Sequence, residues 1–326
     1  MEKKYLMPII AIAIILIIGL IVLTPQTQNQ NVIRVGHTPL VHGLPFYLAL
    51  EKGYFEEAGI TIERVKFDSP TQIVDALMQG KIDITPPVIA AGIVATADYQ
   101  NPDKIKVYAL SGGNFAQPSA RIIVAKDSEI ENIQDLKGKK LGILGSSIQW
   151  RVISQNLLED NGLQVGNDVT IVELAPGLQV QTLASGQIDA LLALDPMGTV
   201  AIETGVGKVI MNNPCEETIA EDSWIGVGAV NVSFAKENPE LTEKFIAIMD
   251  KAIAEIENNP LESAQYVEGY TPVSKEFAAK IVFPIFKTCS RIEQKDFENF
   301  QIFMDLFTEY NAVDGHINIA NFMYCS

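Results

Sequence analysis

The sequence predicts an α/β protein made of two similar lobes joined by two crossings, and three observations carry that prediction. Short apolar runs alternate with helical stretches along most of the chain, the order expected of a mainly parallel sheet covered by helices. One phrase occurs twice: Val74-Asp75-Ala76-Leu77-Met78-Gln79-Gly80-Lys81-Ile82-Asp83 returns 106 residues later as Val180-Gln181-Thr182-Leu183-Ala184-Ser185-Gly186-Gln187-Ile188-Asp189. The composition, 48% hydrophobic and 20% charged, is that of a folded globular chain.

The elements follow in order. Val32–Gly36 reads as a strand, and a helix is expected over Pro45–Phe55, with Pro45 in its first turn. Thr61–Phe67 alternates as a second strand. Ser69-Pro70 caps a helix that runs to Gln79 and stops at Gly80. Ile82–Ile84 and Ile105–Leu110 are further strands. A second unit begins with a strand at Ala120–Ala125, a short helix at Ile133–Leu136 and a strand at Lys140–Leu144. Then come a helix from Ser147 to Glu159, a strand at Val169–Glu173, a helix from Leu178 to Ser185, and strands at Ile188–Ala193 and Val209–Met211. After a strand at Gly226–Phe234 the chain is expected to be helical to its end: Pro239–Glu257, Pro260–Val267, Ser274–Val282 and Gln294–Tyr310. With no sheet of its own, that tail is expected to pack back on the first lobe. The lobes are then residues 32–117 plus 227–326, and residues 118–226. The crossings are expected near Ala116–Arg121 and Trp224–Ala229, two connections about which a cleft can hinge.

Ahead of the lobes stands an apolar segment, Tyr5–Leu23, behind Lys3 and Lys4. As a helix it rises about 28 Å, close to a bilayer core of about 30 Å. Val22-Leu23-Thr24-Pro25 is a poor cleavage site and no lipid-anchoring cysteine is near. Residues 1–31 are therefore read as an uncleaved membrane anchor and polar spacer, with the lysines inside and the rest facing outside; a cleaved signal is the alternative.

The formal net charge of −16 repels phosphate backbones, so no nucleic-acid partner is expected. Cys215, Cys289 and Cys325 fit no zinc or CxxC pattern. At most one disulfide can form, and Cys289 with Cys325 is the expected pair because both sit in the C-terminal part; three small buried hydrophobes is the competing reading. The sequence holds no G-x-S-x-G, H-E-x-x-H, Walker A or dinucleotide fingerprint. No metal, cofactor or catalytic residue is expected.

Four loops suit ligand binding instead, since open α/β sheets bind ligands beyond the carboxyl ends of their strands. The first, Gly36–Leu44, offers His37, Thr38 and His42. The second is Thr85-Pro86-Pro87, from which Thr85 and Pro86 are candidates. The third, Gly145-Ser146-Ser147, opens a helix, where free N–H groups and the hydroxyls of Ser146 and Ser147 suit an oxyanion; a plain serine cap is the equal alternative. The fourth is Asp195-Pro196-Met197-Gly198, where Asp195 is placed to accept a donor from the ligand or from the opposite lobe. Asn114 and Ser119, near the first crossing, are the last candidates. Trp150, Trp224 and Arg121 are read mainly as packing and solvated residues.

Gly43-Leu44-Pro45-Phe46-Tyr47-Leu48-Ala49-Leu50-Glu51-Lys52-Gly53-Tyr54-Phe55-Glu56-Glu57-Ala58-Gly59-Ile60 resembles the signature of the nitrate/sulfonate/taurine-type substrate-binding proteins, a family linked to thiamine-precursor-binding proteins. The repeated Gly-x-Ile-Asp, Leu136–Gly142, Asp195-Pro196 and Glu237–Glu240 also look like this family, and the resemblance runs over residues 32–310. It implies a type II periplasmic-binding-protein fold whose lobes close on a small anionic solute, a sulfonate, nitrate or similar. It also implies a monomeric ectodomain delivering that solute to an ABC permease with a cytoplasmic ATPase. Asp195 stands where the family usually has glutamate before the proline, and the aromatic-rich first loop of a pyrimidine binder is missing. The alternative is an enzyme on the same fold, desulfinase-like or thiamine-pyrimidine-forming, for which His37 is the one residue placed to serve.

Overall fold

The computed structural model describes residues 31–145 and 147–325. The expected anchor and the candidate Ser146 fall outside the described residues. Among the described residues no helix is long and apolar enough to cross a membrane.

Eleven strands stand among the described residues, numbered here in chain order. The chain lays down β1 (Val32–His37), β2 (Thr61–Lys66), β3 (Ile84–Ala90) and β4 (Ile105–Gly113). It crosses to β5 (Arg121–Ala125), β6 (Lys139–Leu144), β7 (Val169–Leu174), β8 (Ala190–Ala193) and β9 (Gly207–Met211), then returns through β10 (Ser223–Asn231) and β11 (Ile285–Thr288). The first sheet has the order β11-β4-β10-β3-β1-β2 and the second β7-β6-β8-β5-β9, so two α/β lobes are present as expected. The sheets are mixed rather than mainly parallel. Pairs inside each βα unit are parallel, β1 with β3 and β6 with β7 and β8. The strands that arrive by a crossing, β5 and β10, lie antiparallel to their neighbours. Every residue of β10 is buried, as a central strand covered on both faces requires.

The repeated phrase folds identically in both lobes. Gly80 and Gly186 end their helices in the left-handed region, at φ 66° and 69°, where only glycine sits without strain. The Asp83 N–H donates to the Arg34 carbonyl at 2.8 Å and its Oδ2 accepts from the Arg34 N–H at 2.7 Å. The Asp189 N–H donates to the Lys140 carbonyl at 2.9 Å and its Oδ2 accepts from the Lys140 N–H at 2.8 Å. Each aspartate thus locks the helix–turn to the adjacent strand, β1 in one lobe and β6 in the other.

Five expectations change. The helix over Pro45–Phe55 divides into Leu44–Glu51 and Tyr54–Glu57, because Gly53 between them turns to φ 72°. Thr85-Pro86-Pro87 is not a loop but part of β3. Pairing with β10 is irregular there: Val227 faces Ile89 and Ala229 faces Thr85, so β3 carries the extra residues, and the prolines sit in this bulge, outside the ladder bonds that proline cannot donate. The expected strand over Gly226–Phe234 ends at Asn231, whose side chain caps a helix, Val232–Glu237. The second crossing lies before Ser223, since Trp224–Ala229 already pair within the first sheet. The C-terminal part is not wholly helical: β11 adds an edge strand to β4.

The tail does pack on the first lobe. The Tyr324 N–H donates to the Val107 carbonyl at 2.7 Å, and Cys289 and Cys325, with Cα atoms 5.2 Å apart, form the expected disulfide over this edge. Cys215 is free and buried. The helix Gln294–Glu309 packs on β10 and on the helices Ala91–Gln100 and Ile148–Asp160, one from each lobe. Phe300, Phe303 and Phe307 therefore share one apolar cluster with Leu141, Ile143 and Trp150 of the second lobe.

Candidate functional site

The carboxyl ends of β1, β3, β6 and β8 face a cavity of about 340 Å³ between the lobes, within the range of small-molecule sites. The first lobe contributes Thr38–His42, Asp68–Pro70, Pro87–Ala90 and Thr271–Val273; the second contributes Leu144, Gly145, Ser147, Gln149, Trp150, Gln179 and Leu194–Met197.

The loop after β1 is held from beneath by Tyr47, whose hydroxyl donates to the carbonyl of Thr38 at 2.8 Å or of Leu40 at 3.2 Å. Gly43 is needed here: a Cβ would lie 2.4 Å from the Tyr47 ring. Tyr47 in turn stacks on Tyr270, ring centroids 4.5 Å apart, next to the wall Thr271–Val273. Thr38 is 2% exposed and its hydroxyl has no hydrogen-bond partner among the described residues. Burial pushes the His42 imidazole down to about 4, only partly offset by the Asp195 carboxylate, so it lines the cavity as a neutral ring.

Two side chains tie the second lobe to the first. Gln149, fully buried in the first turn of its helix, accepts from the Gly92 N–H and donates to the Ile225 carbonyl, both at 3.0 Å. Asp195 accepts from the Thr199 N–H and hydroxyl at 2.8 Å, from Arg121 at 3.2 Å and, across the cleft, from the Val282 N–H at 3.1 Å. Nearby, Lys280 of the first lobe meets Glu203 of the second at 2.5 Å.

The crossings are also stitched together. Glu216, 3% exposed, accepts through Oε1 from the Ser119 N–H at 3.1 Å and from the Ser119 and Ser223 hydroxyls at 2.7 Å. Asn213 donates to the Phe115 carbonyl at 3.1 Å. Ser119 and Phe115 belong to the first crossing, Asn213 and Glu216 to the second.

Of the sequence candidates, Thr38, His42, Ser147 and Asp195 meet at the cavity. Ser147 caps its helix, accepting from the Gln149 N–H at 3.3 Å. The other described candidates lie elsewhere. His37 is 6% exposed, packed 6.2 Å from the Phe46 and Tyr47 rings, with its pKa lowered by burial and by the nearby Arg64 and Lys66 charges. Thr85 is fully buried in β3, its hydroxyl on the Pro86 carbonyl at 3.2 Å, and Pro87 rather than Pro86 reaches the wall. Asn114 braces its own turn, accepting from the Ala116 and Gln117 N–H groups at 3.0 and 2.9 Å. Ser119 serves the hinge. Sequence reasoning missed Gln149, Gln179 and Asp68. Gln179 did leave a signal: it occupies the place of core Ile73 in the repeat.

A family model described as "NMT1/THI5 like" matches residues 42–263, more than half the chain. The chain belongs to that family. A Bacillus subtilis protein named for binding aliphatic sulfonates is 27% identical to this NMT1/THI5-like chain over 218 residues, 64% of the chain and 61% of the relative. The chain thus spans about three fifths of that relative's length. A 4-amino-5-hydroxymethyl-2-methylpyrimidine phosphate synthase of Saccharomyces cerevisiae, THI13, is 24% identical over 254 residues, 74% of the chain and 72% of the synthase. The crystal structure of the periplasmic aliphatic sulphonate binding protein SsuA from Escherichia coli superposes with a TM-score of 0.75 at 19% identity, covering 90% of this chain and 92% of that one. The last likeness shows the periplasmic-binding-protein type of fold.

Proposed function

We propose that this chain is the extracytoplasmic solute-binding component of an ABC importer. It captures a small organic solute between its lobes and presents it to a permease driven by a cytoplasmic ATPase. Tyr5–Leu23 tethers it to the membrane with the lobes outside. The observation that carries the reading is the cavity itself: about 340 Å³, walled by both lobes and fed by strand-end loops. An inorganic ion such as nitrate would leave most of that volume empty, whereas an organic solute with an apolar body would fill it. The sulfonate-named Bacillus relative puts sulfonates among the solutes to be tested.

The test is ligand-dependent stability of the detergent-solubilised full chain against a panel of sulfonates, carboxylates, amides, pyrimidines, nitrate and bicarbonate. A ligand at one hundred times its Kd adds about 2.7 kcal/mol. A panel without a single shift would sink the capture reading.

The yeast synthase supports a second reading, an enzyme on the same fold. His37, the residue expected to serve it, is not among the lining residues, and neither is any of the three cysteines. Turnover of a thiamine-pyrimidine substrate, abolished in His37→Ala, would establish this reading; binding without turnover argues for capture.

A further inference from the structure

The cavity carries two polar atoms with no partner among the described residues. Thr38 Oγ1 and Gln179 Nε2 are both buried without a hydrogen-bond partner among the described residues, each on a side chain 2% exposed. They come from opposite lobes and both line the same cavity. A buried donor left unpaired costs its full desolvation, so native proteins rarely keep one without a partner arriving from elsewhere. An amide NH₂ can only donate, so what it awaits is an acceptor. The threonine hydroxyl both donates and accepts.

The charge of the walls narrows the acceptor further. Among the described lining residues there is no lysine or arginine, while two carboxylates, Asp68 and Asp195, are present. The Arg121 guanidinium, which touches the lining residue Asp195, is committed to it at 3.2 Å, and that pair is nearly buried. His42 is held neutral by burial. Burying an anion without a cation partner is costly. A cationic head would have no acceptor to offer Gln179. Most of the remaining wall is apolar, including Leu40, Val88, Ile93, Trp150 and Met197.

We infer that the captured solute has an apolar body and an uncharged, acceptor-bearing head, clamped between the Thr38 hydroxyl and the Gln179 amide across the cleft. The inference rests on the capture reading above.

The experiment compares probes with one five-carbon body and three heads, pentanamide, pentane-1-sulfonate and pentylammonium, by calorimetric titration of the full-length protein. Pentanamide is expected to bind at least tenfold more tightly than either charged probe. Gln179→Leu is expected to weaken pentanamide at least tenfold while the unliganded protein melts no lower than the parent, since the variant removes an orphaned donor. Thr38→Val should act in the same direction. Tighter binding of pentane-1-sulfonate than of pentanamide overturns the uncharged head and leaves capture standing. So does undiminished pentanamide binding by Gln179→Leu, or a lower melting temperature for that unliganded variant, either of which makes Gln179 a packing residue. If none of the three probes binds, the inference falls; capture falls with it only if the wider solute panel is also silent.

Discussion

The two copies of the helix–Gly–x–Ile–Asp phrase are alike up to the aspartate and unlike beyond it. Up to Asp83 and Asp189 the backbone bonds, the left-handed glycine and the carboxylate lock on the neighbouring strand correspond one to one. Past that point the first copy runs on as seven-residue β3, because β10 lies beside it and pairs on either side of a β3 bulge that holds the prolines. The second copy stops after four residues of β8, and Asp195 then reaches Arg121 and Val282. A shared local code sets the frame of each lobe, and the strand next door decides where the loop begins. The lobe with the shorter strand supplies the tie across the cleft.

The comparison can be broken most sharply at Asp195. Asp195→Ala leaves Arg121 nearly buried without its partner and removes the bond to Val282, and should cost about 3–5 kcal/mol of unfolding free energy in denaturant. No residue of β3 should have that effect on the contact between lobes. The facing loop offers a pH test. The His42 imidazole has a folded pKa of about 4, below the ordinary 6.5 that the unfolded chain would show. As pH falls from about 6.5 to about 4 the unfolded state takes up the proton first, so stability declines through that window by up to about 3 kcal/mol. In His42→Gln the decline should be shallower; an unchanged slope would assign it to other groups.

The matched aspartates sharpen the comparison. Asp83 is buried and also pairs with the Arg34 guanidinium, whereas the carboxylate lock of Asp189 is a backbone one, on a half-buried residue. Asp83→Ala should therefore cost about 2–3 kcal/mol and Asp189→Ala about 1. Equal losses would show that the ion pair adds nothing to the lock. The smallest effect is the most symmetrical: Gly80→Ala and Gly186→Ala each force a left-handed φ on a side chain, with nothing within 4 Å to clash, and each should cost about 1 kcal/mol.

The frame was legible because its signals are local. Gly80 and Gly186 stop helices, Ser69 and Ser147 cap them, and apolar runs make strands wherever they fall. Thr85-Pro86-Pro87 misled for a physical reason: a proline pair looks like a loop until the strand that pairs on either side of it is known, and β10 lies over a hundred residues away. β11 was hidden in the same way, since four residues become a strand only when β4 offers an edge. At the site, loops beside strand ends pointed to Thr38, His42, Ser147 and Asp195. Gln149 was not legible, because its role depends on Gly92 and Ile225 meeting it from the other lobe. Gln179 was legible in part, as a polar residue where the repeat has an isoleucine.

Glu216 has a mechanical consequence. Two separate connections between rigid bodies would allow them to bend, slide and twist with some independence. Bonding Ser119 on one connection and Ser223 at the end of the other to a single carboxylate oxygen makes them one joint. The lobes are then left with rotation about a nearly fixed line as their easy motion. On the proposed capture reading, a filled and an empty cleft would differ by one angle, and the proposed permease would need only to recognise that angle to tell the two apart.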